Sequence, residues 1–66
     1  MMRNWEVLEW DRGAPYKIWG RLDENGWVVE VTGNEPGDVV KYMEGTPKTR
    51  EEAIAIGREL THKLKP

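Results

Sequence analysis

Over the first two thirds of the chain apolar and polar residues alternate with a period near two, and only towards the C-terminus does the period lengthen to that of a helix. Between Thr49 and Leu64, the residues Ala53, Ile56, Gly57, Leu60 and Leu64 fall on one stripe when successive positions are turned by about 100°, with Ile54 at its margin. The spacing predicts a helix over about residues 50–64. Thr49 stands where a hydroxyl caps the first turn, and Glu52, three residues on, completes a capping box. Glu51 and Glu52 lie at the positive end of the helix dipole, and Lys63 and Lys65 near its negative end.

Four shorter stretches read as strands, at about 5–10, 16–22, 27–32 and 39–43. The clearest is the second, which puts Tyr16, Ile18, Gly20 and Leu22 on an inward face and Lys17, Trp19 and Arg21 on the opposite one. In the third, Trp27, Val29 and Val31 form the core side. The first, WEVLEW, does not choose. Strict alternation groups Trp5 and Val7 with Glu9, and Leu8 and Trp10 with Glu6, so either set would carry one tryptophan and a glutamate. Between these stretches, DRGAP signals a turn, DENG supplies a hairpin connection, and GNEPGD is too polar to bury. Pro47 suits an extended approach to the Thr49 cap.

The predicted architecture is a single α+β domain over residues 1–66, a three- to four-stranded antiparallel β-meander with one C-terminal α-helix packed on one face. A single helix covers one side of such a sheet, which leaves the other to water or a partner. Gly57 sits inside the apolar stripe, where glycine costs about 1 kcal/mol relative to alanine. That cost is expected where the helix closes on a bulky group, for which Trp27 is the nominated neighbour.

Composition changes this picture in two ways. At 66 residues the core is small, Cys is absent, and four tryptophans supply the bulk that disulfides would otherwise replace. Ten basic and twelve acidic residues give a formal net charge of -2, which argues against a general phosphate-binding field. The charged N-terminal stretch does not read as a signal peptide and no run reaches membrane-spanning length, so a soluble, cytoplasmic protein is expected.

Chemistry is scarce. With no Ser and no Cys, two common nucleophiles are missing. His62 is the single histidine and reads as a solvated residue at the helix end. The acid pairs Asp23–Glu24 and Glu51–Glu52 belong to a turn and a helix start, and the glycines follow no phosphate-loop spacing. No enzyme activity, cofactor, metal or small-molecule substrate is expected. What remains is the outward face, with Lys17, Trp19 and Arg21 as its centre and Lys41 and Glu30 beside them. A tryptophan between two cations suits a protein interface, formed with another protein or as a homodimer. It also suits the stacking of single-stranded nucleic acid, the alternative kept for the same surface. The bland alternative is that the Lys17 and Arg21 stems simply cover the Trp19 ring. The closing TREEAIAIGREL resembles the helix of small strand-strand-strand-helix domains, a likeness confined to the helix and bringing no function with it. The compact build also fits an accessory protein of a phage or mobile element.

Overall fold

The computed structural model describes residues 4–64, so Lys65 lies outside the described residues. Strands β1 (Glu6–Glu9), β2 (Lys17–Asp23), β3 (Gly26–Thr32) and β4 (Val39–Lys41) precede one helix, α1 (Arg50–Leu64). The strands form one sheet in the order β1-β2-β3-β4, each antiparallel to its neighbour. This is the α+β meander expected, with all four strands present. The last strand is shorter than 39–43, because Tyr42 and Met43 leave it, although the Tyr42 N–H still reaches the Val29 carbonyl at 3.0 Å.

Hairpin geometry fixes the central register. The Asp23 carboxylate accepts the Asn25 N–H at 2.8 Å, and Gly26 adopts φ of 133°, which a side chain would resist. From that turn, Ile18 is set opposite Val31, Gly20 opposite Val29 and Leu22 opposite Trp27. The first two pairs lie under the helix. Leu22 does not, and stays 39% exposed contrary to its predicted inward role. It lies towards the hairpin end, two residues past Gly20, whose partner Glu6 is already the first residue of β1.

Helix α1 begins and ends where its sequence signals place it. Thr49 Oγ1 accepts the Glu52 N–H at 3.1 Å, the hydroxyl half of the predicted box. The segment leading to it is strapped across the hairpin. Trp27 N–H donates to the Pro47 carbonyl at 2.8 Å, and Lys48 Nζ donates to the Asn25 carbonyl at 2.6 Å. At the other end the Tyr16 hydroxyl donates to the Leu64 carbonyl at 3.3 Å.

Between helix and sheet lies a core of Leu8, Ile18, Val29, Val31, Ala53 and Leu60, with Tyr16, Trp27, Val40, Ile54, Ile56 and Leu64 packed around it. Val29 and Val31 have no exposed surface, and burying a side chain of this kind stabilises the fold by about 1.5–3 kcal/mol. Gly57 is indeed a point of close approach, but its neighbour is Ile18. A Cβ at Gly57 would overlap Ile18 Cγ2 and lie 3.0 Å from Cδ1 and 3.1 Å from Cγ1. Trp27 instead faces Gly20, where an added Cβ would come within 3.0 Å of the indole ring and 2.6 Å of Leu8 Cδ1. The missing side chain at Gly20 is therefore what lets Leu8 and Trp27 meet over the centre of the sheet.

Candidate functional site

The outward face is built by strand parity, and in β1 parity is broken. Glu6 pairs with Gly20 and Val7 with Trp19, but Glu9 pairs with Ile18, so an extra residue is inserted into β1 between Val7 and Glu9. A bulge of this kind leaves two successive side chains on the same side of the sheet. Leu8 enters the core, and Glu9 also turns to the helix, where Arg58 binds it through two hydrogen bonds of 2.6 and 2.9 Å. Glu6 lies on the helix side too, 3.6 Å from Arg50 Nε. Trp5, Val7 and Trp10 are consequently all turned away from the helix. Neither of the two groupings offered by strict alternation is adopted.

This places three of the four tryptophans on one surface, turned away from the helix. Lys17, Trp19 and Arg21 share it as expected from β2. Lys41 lies on the edge strand opposite Glu30, which is itself opposite Trp19, so all of the nominated residues occupy one face. Trp5 and Trp10 were the residues that alternation could not assign together. Their signal is present in hindsight: an edge strand with two glutamates and two tryptophans has no regular arrangement that sends both acids to one side and both rings to the other.

Within the face, cations and rings alternate across the β1–β2 pair. The Lys17 ammonium lies 4.4 Å from the centre of the Trp10 ring and 5.9 Å from that of Trp19, and the Arg21 guanidinium lies 5.3 Å from that of Trp5. The two cations thus lean mainly on the β1 tryptophans rather than closing over Trp19 alone. Such contacts contribute about 0.5–1 kcal/mol at exposed sites. Two of the indole donors are used internally. Trp19 Nε1 donates to Thr32 Oγ1 at 2.8 Å and Trp10 Nε1 to the Ala14 carbonyl at 3.2 Å. Trp5, Val7, Trp10 and Val39 remain 39–45% exposed, and the run along β1 makes an apolar ridge rather than scattered single residues.

A cleft of about 330 Å³ opens on this face between Trp10 and Trp19, with Pro15, Lys17 and Thr32 in its walls. A larger one, about 530 Å³, lies elsewhere, between the chain leaving β4 and the flank of α1. Tyr42, Met43, Ile56 and Leu60 line it, and its charges balance, Lys41 and Lys63 against Glu44 and Glu59.

The Arg58 guanidinium, through its hydrogen bonds and its charge, holds the Glu9 carboxyl below the usual carboxylate range, and Glu9 in turn raises Arg58. Among the described residues no three of His, Cys, Asp or Glu converge as a metal site, and no helix is long and apolar enough to cross a membrane. His62 is exposed in the last turn of α1. No protein-family model, curated protein or solved structure matches the chain.

Proposed function

We propose that the chain is a small non-enzymatic interaction module, working in the cytoplasm, that binds a protein partner through the helix-free face of its sheet. The observation that carries this reading is the convergence of Trp5, Trp10 and Trp19 with Lys17 and Arg21 on a surface that no element among the described residues covers. Tryptophan and arginine dominate the energetic centres of protein interfaces because a large rigid ring buries much apolar area at little entropic cost. A chain this small gains nothing for its own core by leaving Trp5 and Trp10 exposed and Trp19 only half-buried.

Single-stranded nucleic acid is the competing occupant, since cations beside aromatic rings also suit stacked bases. The internal use of both indole donors and the leaning of cations on the Trp5 and Trp10 rings favour a protein, as does the net charge of -2. Immobilised wild type, Trp10→Ala, Trp19→Ala and Glu59→Ala proteins, each first shown folded by circular dichroism, test the proposal in extracts and by concentration-dependent mass. Wild type and Glu59→Ala should retain one partner, whether a foreign protein or a second copy, that both tryptophan variants lose. Identical behaviour of all four proteins would overturn it.

A further inference from the structure

We propose that the occupant of this face is a linear segment of another protein that carries acidic and apolar side chains together. It lays carboxylates against Lys17 and Arg21 and sets an apolar side chain into the cleft between Trp10 and Trp19. This narrows the reading of the face as a protein-interaction surface and rests on it.

Charge is the first argument. Across the outward positions of β2, β3 and β4 there are three cations, Lys17, Arg21 and Lys41, and two acids, Glu30 and Asp23, the latter at the hairpin end with its carboxylate accepting the Asn25 N–H. The acids of β1 would have balanced them, but the bulge sends Glu6 and Glu9 to the helix side, where Arg50 and Arg58 neutralise them. Among the described residues none of the three outward cations is held in an ion pair. In a chain of net charge -2, the aromatic face is thus locally positive.

The second argument is hydrogen-bonding capacity. With the Trp10 and Trp19 indole donors already committed, the charged donors beside the cleft and rings are an ammonium and a guanidinium. Both are matched best by carboxylates, and the planar guanidinium binds them in a fork. Arg21 Nε is buried without an acceptor, an unsatisfied donor that a carboxylate drawing the guanidinium outward would relieve.

The shape of the face suits a segment. Three strand spacings of about 4.8 Å and a strand of about 23 Å span roughly 350 Å² between strand axes, a track that one extended segment fills. A second copy would bring the same cations opposite one another. Strand addition at an edge is discouraged by the bulge in β1 and by the three-residue length of β4, so the segment lies on the face.

The test is a titration followed by tryptophan fluorescence and calorimetry. The probe is a blocked peptide of Glu, Leu and Gly of about ten residues, long enough at about 3.3 Å per residue to cross the sheet. Matched peptides with Gln or Lys in place of Glu, and a thymidine oligonucleotide, are the comparisons. The acidic peptide should bind saturably, about tenfold or more tighter than the Gln peptide, and lose about tenfold in Lys17→Gln or Arg21→Gln. Equal binding of the Gln peptide, or tighter binding of the Lys peptide, lost in either case in Trp10→Ala, would overturn the acidic segment but leave the face a protein surface. The same holds for a concentration-dependent mass that Trp10→Ala abolishes. Tighter binding of the oligonucleotide than of any peptide, or no probe responding to Trp10→Ala and Trp19→Ala, would overturn both.

Discussion

Replacing Gly57 with alanine sets two opposed effects of similar size against each other at one atom. In a helix interior the added methyl group contributes about 1 kcal/mol through propensity alone. Here that methyl would overlap Ile18 Cγ2 and crowd Cδ1 and Cγ1 at 3.0 and 3.1 Å. Cγ2 is attached directly to Cβ of a strand residue that is 4% exposed and packed in the core with Val29 and Val31, so it has no free rotamer into which to retreat. The helix or the strand must move instead, and overpacking of this kind costs about 1–3 kcal/mol. The balance is a net loss of about 1 kcal/mol, which for a domain this small lowers the melting temperature by about 4–8 °C. Urea unfolding followed by circular dichroism gives the free energy directly. Ile18→Leu provides the decisive background, since it removes the Cγ2 branch at a cost of under about 1.5 kcal/mol. There Gly57→Ala should be neutral or stabilising, with a coupling of about 1–3 kcal/mol between the two changes. A Gly57→Ala protein that melts higher than wild type, or two changes that simply add, would refute the close helix-strand contact.

Other expectations follow from the same contacts. Thr49→Ala removes the acceptor for the Glu52 N–H and should cost about 1 kcal/mol in urea unfolding. Whereas a glycine-to-alanine change at a compatible backbone position stabilises, Gly26→Ala should cost more than about 1 kcal/mol. Its backbone φ is 133°, and the new Cβ would lie 2.7 Å from the Pro47 carbonyl that anchors the approach to α1. Because Arg58 lowers the folded-state pKa of Glu9, the pair's contribution is fully present above the ordinary carboxylate pKa and is lost as pH falls through the lowered folded value. Carboxyl chemical shifts should therefore show Glu9 titrating below the usual range, and Arg58→Gln should return it there and flatten the acid side of the stability profile.

The helix bounds, a meander of three to four strands and the split between an Ile18–Val29–Val31 core side and a Lys17–Trp19–Arg21 outer side all followed from local rules. A capping hydroxyl, a 3.6-residue stripe and unbroken alternation each act within a few residues, so they are legible in the chain itself. What tertiary structure alone decided is where those rules stop. Leu22 keeps the right parity but runs beyond the shelter of the helix, and Gly57 meets Ile18 rather than Trp27 because helix rotation is set by the whole interface. Most consequential is β1. Alternation assigns faces only while both strands advance in step, and a single extra residue reverses every assignment after it. That residue is tolerated because Leu8 fits over Gly20 while Glu6 and Glu9 reach Arg50 and Arg58, all partners distant in sequence. Through them, Trp5 and Trp10 come to share the face on which Trp19 was already placed.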